Sequence, residues 1–396
     1  MNITLLHYSA PPVVGGVESV LAHHARLMAD AGHHACVVAG RGAQFDARIP
    51  FIALPLADSR HPDVLAVKAE LDAGRVSPEF DDLTAQLTAT LDKLFADTDI
   101  VIAHNVCSLH KNLALTAALW RLAKLRHPRL ILWHHDLAWT TPRYRAELHA
   151  GFPWDLLRRD WPDATYVVVS SLRQQELAGL LGVPHDRITV VPNGVDAPTF
   201  LKLEAQTRVF VRQLNLLEAA PLLLLPVRLT PRKNIELALH TLGVLREAYP
   251  RAALLVTGPL GPHNPANAGY FARLKALRAK LGLEEAAHFL TELSEGYLPD
   301  AVIADFYRLA DALVLPSREE GFGIPLLEAG LARLPIFCAD IPPLRELGGE
   351  TAHYFSPDMA PAQVAALIAD HLAHDPIFNL RERLLQHYTW ERVYAR

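Results

Sequence analysis

The feature that most constrains this chain is an alternation that runs through it twice. Apolar runs too short to be helices are separated by longer stretches with helical periodicity. In the first half, residues 3–6, 36–39, 100–103, 130–133, 166–169 and 189–191 predict buried strands, and residues 17–31 and 113–125 predict amphipathic helices. The series restarts at residues 222–227 and continues through Ala253–Val256, 288–290, Ala312–Leu315, 336–338 and His353–Phe355, with Ile235–Ala248 and 270–281 as helices. Strands apolar on both faces, each followed by a helix, imply parallel sheets covered on both sides. The fold class is therefore α/β, with two doubly wound parallel-sheet domains. The boundary is expected after the turn Pro192-Asn193-Gly194-Val195-Asp196, giving domains 1–198 and 199–376. Two segments break the alternation. Residues 41–82, with several prolines and acidic side chains, decorate the first domain. Residues 258–270 form a Pro/Gly/Asn loop at the C-terminal end of a strand, the edge that faces the ligand crevice in open α/β sheets.

Composition excludes several classes. Thirty-eight Lys and Arg against 43 Asp and Glu leave a net charge of −5, with no basic footprint for nucleic acid. Cys36, Cys107 and Cys338 are odd in number and far apart, so neither a disulfide framework nor a zinc knuckle is expected, and a reducing, cytoplasmic location fits. Residues 1–7 lack the basic and apolar regions of a signal peptide and read as the first strand. No apolar run approaches the roughly 18 residues of a membrane-spanning helix. Peripheral membrane association and oligomeric state stay open.

Four constellations carry chemistry. Glu320-Gly321-Phe322-Gly323-Ile324-Pro325-Leu326-Leu327-Glu328 follows a strand and opens a helix. Gly321 and Gly323 allow tight turns and close backbone approach, and the free amides of a helix start favour an anion. Glu320 and Glu328, about one turn into the helix, can accept from sugar or ribose hydroxyls. Arg228 and Lys233 flank a turn after the first strand of the second domain, which matches a diphosphate, although a solvated basic turn reads the same way. Arg232 is expected to be solvated. Gly15-Gly16 opens a helix after the first strand, where backbone could approach a donor phosphate or an acceptor. His134-His135-Asp136 ends a strand. Adjacent histidines there point to opposite faces, so they make poor joint metal ligands, and one of them could reach the crevice.

Taken in order and spacing, these residues resemble the retaining glycosyltransferases of the GT-B fold, family 4 (glycosyl transferases group 1). The resemblance rests on Gly15-Gly16, His135-Asp136, Val191 to Asp196, Arg228 with Lys233, and Glu320 with Glu328, and Trp390-Glu391-Arg392 resembles the family's terminal helix. It implies two Rossmann-like domains facing a central cleft, with a C-terminal helix, residues 377–396, packing back on the first, acceptor-binding domain. It implies that Arg228 and Lys233 bind the donor diphosphate and Glu328 the ribose. Glu320 would hold sugar hydroxyls, with the backbone from Gly321 through Phe322, Gly323 and Ile324 nearby. His135 would lie beside the reacting sugar, Gly15 and Gly16 near the donor, and Leu293 beside the base. His135, Arg228, Lys233 and Glu320 are the expected catalytic set. Two departures stand out: Val227 and Asn234 occupy positions where the family usually has glycine before the arginine and often has it after the lysine.

The expected activity is hexosyl transfer from a nucleoside diphosphate sugar to a hydroxyl of a small-molecule, saccharide or lipid acceptor. UDP-glucose and GDP-mannose lead as donors, and ADP-glucose is a third. No residue offers a clear carboxylate nucleophile, which favours front-face displacement. The protein's own cations would stabilise the leaving group, so no metal and no cofactor are expected. A nucleotide-sugar isomerase or epimerase and a non-catalytic nucleotide-sugar-binding subunit are the rival readings. A dinucleotide dehydrogenase is a weaker one, because the first loop lacks Gly-x-Gly-x-x-Gly.

Overall fold

The computed structural model describes residues 1–125, 128–260, 266–294 and 297–396. Among these residues, β1 (Asn2–Ser9), β2 (His34–Arg41), β3 (Phe51–Ala53), β4 (Ile100–His104), β5 (Arg129–His134), β6 (Thr165–Val168) and β7 (Ile188–Val190) form one parallel sheet in the order β3-β2-β1-β4-β5-β6-β7. β8 (Leu222–Leu225), β9 (Ala253–Val256), β10 (Ala287–Phe289), β11 (Ala312–Leu315), β12 (Ile336–Ala339) and β13 (His353–Phe355) form a second, in the order β10-β9-β8-β11-β12-β13. Counted from its own first strand, the second sheet reads 3-2-1-4-5-6, and the first six strands of the first sheet read the same. This is the Rossmann order, whose switch points fall at β1/β4 and β8/β11.

The strand run 222–225 is four leucines, a residue that favours helices. It is a strand because Pro221 and Pro226 bound it and each of its leucines is at most 1% exposed, so both faces are covered. In the first sheet Leu5 pairs with Val37 on one side and Ile102 on the other, all within one apolar cluster.

Contacts divide the chain into Met1–Gly194 with Trp390–Arg396, and Val195–Thr389. The division precedes residue 198 because Val195 already belongs to the second unit, where its amide donates to the Tyr388 carbonyl at 2.7 Å. The returning segment is also shorter than residues 377–396. The helix Pro376–His387 stays with the second unit, tied by Arg381 to Asp311 at 2.8 Å and by Glu382 to Arg251 at 2.7 Å. Only the short helix beginning at Trp390 joins the first. There the indole stacks on His23 at 4.7 Å and meets His24 edge-on at 5.5 Å. A Cβ on Gly194 would lie 2.5 Å from this indole, so glycine is what lets the ring seat.

Residues 41–82 are more ordered than their composition suggests. They supply β3, a three-residue edge strand, and the helix Pro62–Asp72. The loop expected at 258–270 lies partly outside the described residues, and from Ala266 onward it is already the helix Ala266–Lys280. Among the described residues, no helix is long and apolar enough to cross a membrane.

Candidate functional site

In the second unit, β8 and β11 are neighbours at the switch point, and each delivers a loop from its C-terminal end. Arg228 and Arg232 are exposed, and the Arg228 side chain has no partner among the described residues. Lys233 behaves differently. Its side chain is only 10% exposed, and Nζ donates to Glu320 Oε1 at 2.5 Å, with Glu320 only 8% exposed. Gly323 caps the helix Ile324–Leu331 at φ +110, a left-handed geometry that suits glycine, and a Cβ there would also meet Leu344 at 2.7 Å. Gly321 is different: its backbone is unstrained and the space where a Cβ would sit is open. The amides of Phe322, Gly323 and Ile324 donate to no group among the described residues, and the helix start has no side-chain cap. Its unpaired N–H groups and dipole therefore form a positive end.

Glu328 is partly exposed, and its Oε2 accepts from the Tyr307 hydroxyl at 2.5 Å. Burial, reinforced by Glu328, pushes the Tyr307 phenol well above its ordinary pKa, so it stays a donor. Leu293 is exposed. It follows a one-turn 3-10 segment, Leu290–Glu292, and borders a cavity of about 450 Å³ with His288 and Phe289.

In the first unit, β4 and β5 end side by side in His104-Asn105 and His134-His135-Asp136. Asn105 adopts the left-handed conformation at φ +58. Its Oδ1 accepts from the amides of His135 at 2.7 Å and Asp136 at 3.2 Å, and its Nδ2 donates to Asp136 Oδ2 at 3.4 Å. His104 Nδ1 and His135 Nε2 are 3.3 Å apart. His7 Nδ1 must donate to the His104 carbonyl, at 2.7 Å, because a carbonyl only accepts. Burial lowers both His7 and His135 to a pKa of about 4, so the imidazoles are neutral at pH 7. His134 points elsewhere: it is buried, and burial lowers it to about 3.

At Gly15 and Gly16 the two glycines differ. A Cβ on Gly15 would fall 2.0 Å from the Glu18 carboxylate, which Ser9 Oγ holds at 2.6 Å. A Cβ on Gly16 would meet nothing within 4 Å. That helix start thus carries its own carboxylate. Elsewhere in the unit Asp72, His110 and Glu147 converge as metal ligands might, but the Lys68 ammonium already lies 2.5 Å from Asp72 and 3.0 Å from Glu147.

Two sequence families match this chain in tandem. "Glycosyltransferase Family 4" covers residues 14–198 and "Glycosyl transferases group 1" covers residues 207–387, one for each unit. The chain belongs to the family 4 glycosyltransferases. Its two Rossmann-like units are those of the GT-B class. The MMP alpha-(1->4)-mannosyltransferase of Mycolicibacterium hassiacum is 24% identical over 100% of this chain and 96% of its own. The mannosylglucosylglycerate synthase of Thermotoga maritima is 25% identical over 85% of this chain and 80% of its own. That of Petrotoga mobilis is 27% identical over 62% of this chain, and the match spans 60% of the Petrotoga protein's length.

The glycosyltransferase accommodates both departures from the family pattern. Asn234 sits at φ +53, ψ +44, a conformation that glycine takes freely and asparagine tolerates better than most residues. Its amide adds what glycine lacks, bonds to the carbonyls of Pro316 at 3.1 Å and Pro357 at 2.9 Å. Val227 is buried in the core of the second unit, so its side chain packs away from the loop surface. Sequence reasoning missed His104, Asn105 and Tyr307. It also missed Thr230 and Ser317, whose buried hydroxyls find no partner among the described residues on the β8 and β11 loops. Thr230 lies within the turn between Arg228 and Lys233, whereas His104, Asn105 and Tyr307 belong to no spaced motif and are partnered from a neighbouring element.

Proposed function

We propose that this glycosyltransferase transfers a hexosyl group from a nucleoside diphosphate sugar to an acceptor hydroxyl, with retention at the anomeric carbon. The observation that carries the reading is the Lys233–Glu320 pair at the ends of the two central strands of the second unit. Without donor, the cation and the carboxylate satisfy each other. A diphosphate offers Lys233 more negative charge, and a sugar offers Glu320 its hydroxyls. Exposed Arg228 and the unbonded amides of Phe322, Gly323 and Ile324 supply further positive groups for the same anion. Glu328 then takes the ribose, and Leu293 the side of the base.

In this reading the bond from the anomeric carbon to the diphosphate oxygen breaks as the acceptor oxygen bonds to the same face. The acceptor's proton passes to the departing phosphate oxygen. Glu320, committed to Lys233 and then to sugar hydroxyls, is not a nucleophile, which supports front-face displacement over a covalent intermediate. Lys233, Arg228 and the helix start stabilise charge developing on the leaving group, so the reaction needs no metal ion. The first unit is assigned the acceptor, whether small molecule, saccharide or lipid. There, neutral His135 can offer a hydrogen bond to a sugar hydroxyl, and Gly16 is open to close approach. Relatives named for mannosyl transfer favour a mannosyl group, and so GDP-mannose ahead of UDP-glucose and ADP-glucose as donor.

A metal-free thermal-shift series with UDP, GDP, ADP and their hexose conjugates tests this. One nucleotide should raise the melting temperature by mass action, with GDP expected to be the largest. Lys233→Ala should abolish that shift and cut turnover by roughly 10²–10³-fold. The same change should lower ligand-free stability by about 3 kcal/mol, because it leaves a buried carboxylate unpaired. EDTA should leave turnover unchanged. A variant that keeps the nucleotide shift would overturn the assignment of Lys233.

A further inference from the structure

The geometry points to Tyr307 as a positioning residue that aims Glu328 at the ribose and sets the preference of the donor site for ribonucleotides over deoxyribonucleotides. This rests on the reading of Glu328 as the ribose-binding carboxylate.

Tyr307 belongs to the helix Asp300–Leu309 and is 4% exposed, packed in the core of the second unit. Glu328 belongs to a different helix, Ile324–Leu331, and is partly exposed. The phenol reaches out of the core to donate to Oε2 at 2.5 Å, while Oε1 has no partner among the described residues. A glutamate on a helix surface has three freely rotating side-chain torsions, and a ligand that binds it must order them. Here a fixed ring orders them beforehand, which is the general route by which preorganisation raises affinity. The tyrosine can only donate to the carboxylate, and it occupies one of the roughly four lone-pair sites of that group. The remaining oxygen is held in a set direction, where it can accept from the adjacent 2′- and 3′-hydroxyls of a ribose. A 2′-deoxyribose offers one hydroxyl fewer, so the benefit of the fixed carboxylate falls mainly on the ribonucleotide. A tyrosine of purely structural value would support both sugars equally.

Calorimetric titration of GDP, UDP and ADP and of their 2′-deoxy counterparts tests this on the wild type, Tyr307→Phe and Glu328→Ala. Phenylalanine keeps the buried ring and removes only the hydroxyl. Tyr307→Phe should weaken the ribonucleotide by up to about tenfold, the cost of ordering one flexible side chain on binding, and change the deoxyribonucleotide by less than about twofold. The ribo-to-deoxy ratio therefore collapses, and because both ligands are titrated into one preparation, any loss of folded protein cancels in the ratio. Equal weakening of both ligands, or an unchanged ratio, overturns the positioning role. If Glu328→Ala loses the selectivity while Tyr307→Phe keeps it, the proposal fails and the ribose reading stands. If Glu328→Ala keeps the selectivity, the ribose reading fails and takes the proposal with it.

Discussion

Asn105 concentrates three interactions on one buried amide. It receives two consecutive backbone N–H groups from the end of β5 and donates to Asp136, and its own left-handed backbone turns the chain out of β4. The direction of His135 is therefore set from the neighbouring strand. Asn105→Ala should strand the amides of His135 and Asp136, at about 1–3 kcal/mol for buried donors left unpaired. It should also lower kcat more than it weakens donor binding. Urea melts and steady-state kinetics check the two effects, and a variant with wild-type kcat would remove His135 from the reaction. The sequence presents His135-Asp136 openly as a strand-end pair. Asn105 is invisible there, because its work depends on a register between strands some 30 residues apart. Lys233 was legible as a cation, but its burial against Glu320 was not, since the two are 87 positions apart.

At the scale of elements, strand runs bounded by proline or by a helix start were readable, because a parallel sheet buries both faces and leaves an unbroken apolar signature. β3 was not readable. It has three residues at the sheet edge, none of them buried. The terminal element shows the limit most clearly. Residues 377–396 look like one returning helix, yet the salt bridges of Arg381 and Glu382 keep the helix Pro376–His387 in the second unit, and only Trp390 onward enters the first. Gly194→Ala should push the Trp390 ring off its seat, since the new methyl would lie 2.5 Å from the indole. A cost of about 1–3 kcal/mol, typical of overpacking, should appear as a lower melting temperature. The near-ultraviolet circular dichroism of the stacked indole should change with it. An unchanged spectrum would mean that the stack on His23 is not maintained in solution.

For the whole molecule, one collective effect is the set of buried neutral histidines in the first unit. Burial lowers His7 and His135 to about 4 and His24 and His134 to about 3, against an unfolded value of about 6.5. Between those values the unfolded chain binds protons that the folded chain refuses, so stability rises with pH. Their contribution is complete above about pH 6.5 and is lost progressively as pH falls toward 4. Melting temperatures from pH 7.5 to 4.5 should fall accordingly, and His24→Phe, which removes one of the four groups, should flatten the slope. An equal slope in the variant would contradict the assignment for His24. The sequence by itself determined the doubly wound class and the tandem arrangement, because these follow from local periodicity, and it singled out Arg228, Lys233, Glu320 and Glu328 as candidates, because they stand in motifs read within a few residues. Only the tertiary structure decided which groups neutralise, fix or crowd one another. Glu320 on Lys233, Tyr307 on Glu328, Asn105 on His135 and Trp390 on Gly194 each join residues far apart in the chain, and their energies exist only once burial has removed the competing water.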